Sequence, residues 1–418
     1  MRAFCGFDFG TSNSTIGISN NNSCHLVPLE GDKPIIRSAI FCDNELKQWV
    51  FGQEGINNYL EGAPGRLMMS LKTVLGSSLM EDNTLIFNEF IPYTKVLGHF
   101  IKHIKLLAEK AAEKELTHVV MGRPVHFHDH DREKDRHAQN TLEIIAREVG
   151  FKEVAFQYEP IAAAITYEMS IKVDQLALIV DMGGGTSDFT VIRLRSNAKS
   201  TDRSKDVLAN CGIHIAGTDF DQRLSLKTVM PLLGMGSLMR GSSSNIEVPS
   251  MFYHDLTTWH TLNNLYSTST LSQIKSIQTV SYAKNLIARL LRVLQKRAGH
   301  HILDSVETIK QRLSDEREVD LDLSFIEAEL STLIPRNTLN EVIAEQVQHI
   351  IDKINETVTM AGVQPEKINA IFYTGGSTKI PMIRDQINAL FPLAEIVRGD
   401  AFGSVGMGLT IDAQRKFF

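Results

Sequence analysis

A short pattern that is suited to binding phosphate occurs twice in this chain. The first copy is DFGTS at residues 8–12, and the second is DMGGGTSD at residues 181–188. Each copy predicts a strand, an aspartate, a tight glycine turn and a second strand. Glycine lets backbone N–H groups approach an anion, hydroxyls add hydrogen-bond donors, and the carboxylates suit Mg²⁺. Two such hairpins facing each other would clamp the phosphates of a nucleoside triphosphate, although a plain hairpin with a flexible tip is the alternative for either copy.

The two copies divide the chain into halves with a common plan. Each half later has an apolar strand that runs into a glycine turn, at residues 117–124 and 370–377. Between these markers the second half has about 80 more residues than the first. We place most of the excess at about 225–300, where the run 234–244, rich in Gly, Ser and Met, predicts a surface loop or a mobile insertion.

The length of 418 residues is more than one compact core normally fills, so we expect two lobes. We predict a first lobe over 1–180 and a second over 181–418, which carries the insertion. Strands alternate with helical patterns, and this alternation indicates an α/β architecture. The predicted helices and their starting residues are 131–149 after Asp129 or Asp131, 161–169 with Pro160 at N1, 271–294, and 338–361 with a Thr338–Glu341 capping box.

Composition narrows the class of protein. The net charge of -6 gives no support for nucleic-acid binding. The four cysteines lack C-x-x-C spacing and are typical of buried thiols in a reducing compartment. No signal peptide and no run of about 18 apolar residues is found, so no membrane span is expected. We therefore expect a cytoplasmic protein.

Five sequence blocks, in this order, resemble the nucleotide-binding domain of the seventy-kilodalton heat-shock chaperones of the DnaK type, and more narrowly its YegD-like branch. The resemblance runs from Phe4 to about Leu409. It implies an α/β, two-lobed actin-like ATPase fold, built from duplicated ribonuclease-H-like halves with helical and sheet insertions. The blocks are DFGTS at 8–12, YEPIAAA at 158–164, DMGGGTSD at 181–188, AGTDFD at 216–221 and GGSTKIP at 375–381.

The resemblance also implies roles for individual residues. Asp8 and Asp181 would hold Mg²⁺ through water, and Lys72, in the block LKTVLG, would position the γ-phosphate and the attacking water. A fixed cation there would stabilise the charge that develops in phosphoryl transfer, and Glu159 would orient the water with Asp181. The implied catalytic residues are Lys72, Glu159, Asp181, Thr186 and Asp8. The implied ATP-binding residues are Gly10, Thr11, Ser12, Gly183, Gly184, Gly185, Gly217, Glu307, Lys310, Ser314, Gly375, Gly376 and Ser377.

The adenosine side depends on the run VETIKQRLS at residues 306–314, which matches the family's purine-clamp helix. The spacing of Glu307, Lys310 and Ser314 places all three on one helix face. Gln311 stands where the family usually has Arg, whose flat guanidinium can stack on adenine, so we expect altered adenine affinity. Ordinary exposed helix charges are the alternative interpretation.

One of the two histidine clusters in the sequence invites a metal-binding interpretation. The run HFHDHD at 126–131 alternates possible ligands, but such ligands in one loop rarely converge without distant partners. We expect a polar loop there, and a solvated turn at His300 and His301.

The family normally continues into a linker, a β-sandwich that grips peptides and a helical lid, whereas this sequence ends at Phe418. We therefore expect a monomeric chaperone-type ATPase without that substrate domain, which hydrolyses ATP slowly to ADP and phosphate with Mg²⁺. Its lobe closure would signal to a partner or co-chaperone, for which 225–300 is the candidate surface. The alternatives are an actin-fold sugar or small-molecule kinase, which needs a catalytic base beside an acceptor hydroxyl, and a nucleotide-regulated interaction or filament protein of the actin class.

Overall fold

The structure is a computed structural model that describes residues 3–20, 23–75, 80, 82–127, 131–196, 203–241, 244–259, 261–397 and 403–418. The chain forms two compact units. Unit 1 comprises Met1–His214, Ile351–Thr378 and Gln386–Phe418, and unit 2 comprises Ile215–Ile350 and Lys379–Asp385. The lobe boundary predicted at residue 180 is placed from the sequence repeat, whereas these two units are defined by their compactness. The predicted boundary therefore stays a prediction.

Unit 1 is built around two sheets that repeat one plan. The strands are β1 (Phe4–Phe9), β2 (Asn13–Asn20), β3 (Ser23–Leu26), β4 (Ile36–Arg37), β5 (Ala39–Asp43), β6 (Gln48–Phe51), β7 (Gly65–Met69), β8 (Asn83–Ile86), β9 (Glu89–Pro92), β10 (His118–Arg123), β11 (Glu153–Tyr158), β12 (Gln175–Met182), β13 (Ser187–Leu194) and β14 (Val207–Ile213). Unit 2 has β15 (Leu238–Arg240), β16 (Asn245–Glu247), β17 (Glu318–Asp322) and β18 (Ser331–Pro335). Unit 1 then adds β19 (Ala370–Thr374) and β20 (Glu395–Val397).

The strand order of the two large sheets confirms the duplication predicted from the sequence. The first sheet runs β11-β10-β1-β2-β3, and the second runs β20-β19-β12-β13-β14. In both, the hairpin that carries the phosphate-loop motif is antiparallel, and its first strand pairs in parallel with the strand that precedes the later glycine turn. The α/β fold class is therefore confirmed.

Twelve α-helices lie within the described residues. They are α1 (Gly52–Leu60), α2 (Tyr93–Ala112), α3 (Arg132–Glu148), α4 (Glu159–Glu168), α5 (Gly217–Thr228), α6 (Met251–Leu256), α7 (Thr268–Val280), α8 (Lys284–Gln295), α9 (Gly299–Leu313), α10 (Arg336–Met360), α11 (Pro381–Leu390) and α12 (Ser404–Phe417).

Helices α4 and α12 pack closely in unit 1, and glycine allows the approach. A Cβ on Gly408 would lie 1.8 Å from the carbonyl oxygen of Ala162 in α4. A Cβ on Gly6 of β1 would lie 2.1 Å from the backbone nitrogen of Thr410. Both glycines therefore allow neighbouring backbone segments to approach each other closely. The contact holds α12 on the first sheet and brings α4, which carries Glu159, against α12.

Gly408→Ala is expected to destabilise the protein by about 1–3 kcal/mol, because the new methyl group must displace backbone. Gly98→Ala is the matched control: Gly98 is also inside a helix, but a Cβ there meets nothing closer than 3.8 Å. That control should be neutral or stabilising by up to about 1 kcal/mol. Urea unfolding of both variants measures the difference, and equal stabilities would contradict the packing described here.

The insertion predicted at 225–300 is ordered structure over most of its length. The run 234–244 contains β15 and is not simply a loop or a mobile segment. The helix predicted over 271–294 is interrupted, because the Tyr282 N–H donates to the Leu238 carbonyl at 3.0 Å and Ser281 bridges to Met239. This pairing with β15 separates α7 from α8.

Three predicted helix starts can be compared with the structure. Asp131 caps α3 by accepting the Glu133 and Lys134 N–H groups at 3.0 Å, as predicted, whereas Asp129 lies outside the described residues. Pro160 is the second residue of α4 and not the first. The capping box at Thr338 is wrong, because α10 begins two residues earlier, at Arg336. That arginine fixes the start by donating to the carbonyls of Leu313, Ser314 and Glu316.

His300 is not in a solvated turn, contrary to the prediction. It lies inside α9, is 4% exposed, and packs against Trp259 with ring centroids 5.0 Å apart. Burial, with a smaller contribution from the neighbouring His301, lowers the pKa of His300 to about 4. His300 is therefore a neutral core residue at physiological pH.

Candidate functional site

The first phosphate-loop turn connects β1 to β2. A Cβ on Gly10 would lie 2.1 Å from the Asn13 carbonyl oxygen, so the turn requires glycine. Ser38 supports the turn from outside the motif: its hydroxyl donates to the Gly10 carbonyl at 2.7 Å, and its N–H donates to the Ser12 carbonyl at 2.9 Å. Thr11 and Ser12 remain half-buried at the tip, where their hydroxyls can reach a ligand.

The second turn connects β12 to β13 in the same way. The Gly183 N–H donates to the Thr186 carbonyl at 3.1 Å and closes the turn, with Gly184 and Gly185 at its tip. A Cβ on Gly185 would meet nothing within 4 Å, so the turn itself does not require this glycine. The open space above Gly185 leaves the backbone accessible to a ligand.

The GGS segment at residues 375–377 lies against the second turn. The Ser377 hydroxyl donates to the Gly183 carbonyl at 2.8 Å. Gly375 has φ +77°, and a Cβ on it would lie 3.0 Å from Asp181 Oδ1. Gly376 begins the short 3₁₀ helix Gly376–Lys379. The structure therefore brings residues 375–377 to the end of β12, where Asp181 lies.

Lys72 and Glu159 form an ion pair at the centre of the candidate site. Lys72 Nζ lies 2.6 Å from Glu159 Oε1, and the two side chains are 11% and 12% exposed. Lys72 belongs to the 3₁₀ helix Leu71–Val74, and Glu159 is the first residue of α4. Gly122, in β10, leaves room for the glutamate, because a Cβ there would lie 3.2 Å from Glu159 Cγ.

The charges of Lys72 and Glu159 act on both Asp8 and Asp181. Burial, reinforced by repulsion from Glu159 and Asp181 and opposed by Lys72, raises the pKa of Asp8 to about 8. Burial and Glu159 also raise the pKa of Asp181, while the Thr374 hydroxyl and Lys72 oppose that increase. Burial alone would lower the pKa of Lys72, but the surrounding carboxylates, Glu159 first, outweigh it and raise it. Three carboxyl groups and one ammonium group, counted among the described residues, carry excess negative charge only when at least two of the carboxyl groups are ionised, and a bound cation would favour that form.

The raised pKa of Asp8 predicts how the stability of the nucleotide-free protein depends on pH. The folded protein retains this proton up to about pH 8, whereas the ordinary pKa of the group is 3.8. The folded state therefore binds more protons than the unfolded chain between these values, and the contribution of Asp8 to stability falls as pH rises from about 4 to about 8. Urea unfolding in the presence of a chelator should show a fall in the free energy of unfolding between about pH 4 and about pH 8 that is smaller in Asp8→Asn. An equal fall in both proteins would show that Asp8 does not titrate in this way.

The residues predicted for the adenosine side lie in unit 2. Lys310 is 7% exposed; its ammonium group lies 2.7 Å from Asp221 Oδ2 and donates to the Gly217 carbonyl at 2.9 Å. Lys310 thus joins α9 to the start of α5. Glu307 lies one turn earlier in α9 and accepts a hydrogen bond from Gln311 Nε2 at 3.2 Å, and Ser314 is the C-cap of α9.

Sequence reasoning missed three residues that support these groups. Ser38 braces the first turn, Asp221 neutralises Lys310, and Thr374 is paired with Asp181 in the sheet. Asp221 could have been found, because it lies in the AGTDFD block and a buried lysine requires a counter-charge. Ser38 and Thr374 have no local signal, because each acts on a residue that is distant in sequence.

The described residues contain neither a cluster of direct metal ligands nor a membrane-spanning helix. Within the described ranges, no cluster of three or more His, Cys, Asp or Glu side chains is arranged to hold a metal ion. Residues 128–130 of the histidine-rich run lie outside those ranges. Among the helices that the structure describes, none is both long enough and apolar enough to cross a bilayer.

Duplicated sheets with an aspartate and a glycine turn in each half place the chain in the actin-like ATPase fold class. The family model for Hsp70 protein matches residues 82–230 and 290–412, well over half of the chain. The chain therefore belongs to the Hsp70 family. A similar curated protein is named Chaperone protein HscA homolog, from Pseudoalteromonas atlantica; it is 22% identical over 98% of this chain and 57% of its own length. The chain thus spans a little over half the length of this relative.

Proposed function

We propose that this chain binds Mg-ATP and hydrolyses it slowly to ADP and phosphate, as the nucleotide-binding part of an Hsp70-type chaperone. The observation that carries the proposal is the Lys72–Glu159 ion pair beside Asp8 and Asp181. A preorganised ammonium group among carboxylates can stabilise the charge that develops in phosphoryl transfer. Membership of the Hsp70 family supports the same activity.

The donor set in unit 1 fits a magnesium nucleotide. Asp8 and Asp181 offer carboxyl oxygens, and Mg²⁺ is usually held by one or two carboxylates together with water and phosphate oxygens. When bound, the metal neutralises phosphate charge. The two turns would contact the phosphates through the N–H groups of Gly184, Gly185 and Thr186 and the hydroxyls of Thr11 and Ser12.

Each catalytic side chain has a distinct task in this proposal. Lys72 holds its ammonium group at the γ-phosphate and the attacking water. Glu159 fixes Lys72 and, with Asp181, orients that water. Both aspartates must be ionised to hold the cation, and the cation itself favours their ionised forms.

In unit 2, the adenosine is assigned to Gly217, Glu307, Lys310 and Ser314. The Lys310–Asp221 ion pair supports this assignment in part, because it fixes the lysine beside Gly217. Gln311 offers an amide bonded to Glu307 where the family usually has a guanidinium group. We therefore expect a weaker contribution of this position to adenine binding.

Signalling to a partner is also part of the proposal. Nucleotide would shift a two-state conformational population, and a co-chaperone or other protein would respond to it. The 225–300 segment supports a docking role, because its β15–β16 hairpin and the adjoining Tyr282 leave apolar side chains exposed: Leu238 by 45%, Ile246 by 48% and Tyr282 by 59%. A cytoplasmic monomer is the proposed working form.

Phosphate release from ATP tests the proposal against the kinase alternative. Purified protein should release phosphate slowly in the presence of Mg²⁺, because conformational opening limits such enzymes. A panel of sugars should leave the rate unchanged and yield no sugar phosphate. Sugar-dependent consumption of ATP would instead identify a small-molecule kinase.

A further inference from the structure

Thr374 is a buried hydroxyl residue at the carboxyl end of β19. It is 4% exposed, and the described residues provide no hydrogen-bond partner of acceptable geometry for its Oγ1. A buried hydroxyl without a partner costs stability relative to an apolar side chain of the same shape. Such a group therefore calls for an explanation at this position.

The register of the second sheet places Thr374 directly beside Asp181. The two residues are paired on the parallel strands β12 and β19, so their side chains project from the same face of the sheet. Packing earlier in the two strands agrees with this shared face. One apolar cluster contains Ala177 and Ile179 of β12 together with Ala370 and Phe372 of β19. The next residue, Gly375, leaves space beside the carboxylate, because a Cβ on it would lie 3.0 Å from Asp181 Oδ1.

The first sheet contains a comparable pair with a different environment. Asp8 is paired with Thr15, whose Oγ1 is likewise buried without a partner among the described residues. The Thr15 hydroxyl lies under α12, where a Cβ on Gly406 would approach it to 2.2 Å. Thr15 is thus covered by the helix, whereas Thr374 immediately precedes the GGS turn of the candidate site.

We propose that Thr374 is a positioning residue that donates its hydroxyl hydrogen to one carboxylate oxygen of Asp181, so that the other oxygen faces the metal-bound water. The bond completes when nucleotide is bound, as hydrogen bonds in enzyme sites often shorten and align only in the loaded state. The Thr374 hydroxyl also opposes the rise in the pKa of Asp181, which is the effect expected of a donor to the charged form. This inference rests on the proposed ATPase function.

Thr374→Val, which keeps the shape and removes the hydroxyl, tests the proposal, and Thr374→Ser restores the donor. Thr190→Val is the matched control, because Thr190, in β13 of the same sheet, is 2% exposed and its hydroxyl already accepts a hydrogen bond from Asn210 Nδ2 at 2.8 Å. Mn²⁺ is the probe: its affinity for the ADP-loaded protein is measured by electron paramagnetic resonance. Turnover of Mg-ATP is measured in parallel.

Thr374→Val is expected to bind Mn²⁺ about tenfold more weakly and to have an about tenfold lower kcat, which is the size of effect typical of one hydrogen bond to a charged group. The KM for ATP should change less than about threefold. Thr374→Ser and Thr190→Val should stay close to the wild type. If Thr374→Val matches the wild type in both measurements, or Thr374→Ser does not restore them, the positioning role is wrong. If the wild-type protein does not bind Mn-ADP at all, the proposed function itself fails.

Discussion

Lys72→Ala is expected to lower ATP turnover by about 10²–10³-fold while much of the nucleotide binding remains. Removing one preorganised charge from a phosphoryl-transfer site commonly has this effect. Nucleotide binding should persist because the turns at residues 8–12 and 181–188 supply contacts that do not depend on the lysine. Phosphate release under single-turnover conditions gives the rate, and calorimetry with ADP gives the affinity.

A matched variant separates chemistry from folding in that experiment. Lys105 is also a buried lysine paired with a glutamate, Glu109, at i,i+4 of α2 in unit 1. Lys105→Met is therefore expected to cost stability and leave the turnover of the folded protein unchanged. Unchanged turnover in Lys72→Ala, or an equal loss in both variants, would show that Lys72 has no specific part in hydrolysis.

Arg203→Met is expected to destabilise the protein by about 3–5 kcal/mol, because it leaves the buried carboxylate of Glu168 without its cation, whereas Asp206 keeps Arg195. The Arg203 guanidinium group contacts both oxygens of Glu168, at the end of α4, and also Asp206 at 2.5 Å. These side chains are only 4–5% exposed. Urea unfolding monitored by circular dichroism measures the change.

The surface ion pair Arg147–Glu143 provides the control for Arg203. It has i,i+4 spacing, and its side chains are 47% and 33% exposed. Solvent screening limits such pairs to at most about 1 kcal/mol, so Arg147→Met should be nearly neutral. Similar losses in both variants would mean that burial does not set the strength of the Arg203 network.

The duplicated sheets could be predicted from the sequence because the motif that defines each half is local. Asp8 and Asp181 each end an apolar strand and precede a glycine turn, and the same strand order follows in both sheets. Lys72 and Glu159 are assigned to the site from their family blocks, and their catalytic roles stay predictions. The ion pair between them, at 2.6 Å, was not predicted, because no local pattern places these two residues together.

The predictions that failed depended on contacts between segments distant in sequence. The interruption of the helix predicted over 271–294 follows from the pairing of Tyr282 with β15, which no helical periodicity encodes. His300 is buried because Trp259 covers it, whereas two adjacent histidines look polar in a short window. Likewise, the early start of α10 follows from bonds between Arg336 and the end of α9.

Thermal and chemical unfolding with and without Mg-ATP tests the central claim most directly. A ligand at about 100 times its dissociation constant should raise the free energy of unfolding by roughly 2.7 kcal/mol. The account predicts this stabilisation for millimolar Mg-ATP in the wild-type protein, and a smaller gain when Mg²⁺ is chelated or Asp8 is replaced by Asn. A well-folded wild-type sample that shows no shift with Mg-ATP would contradict the claim that this chain is a nucleotide-binding protein.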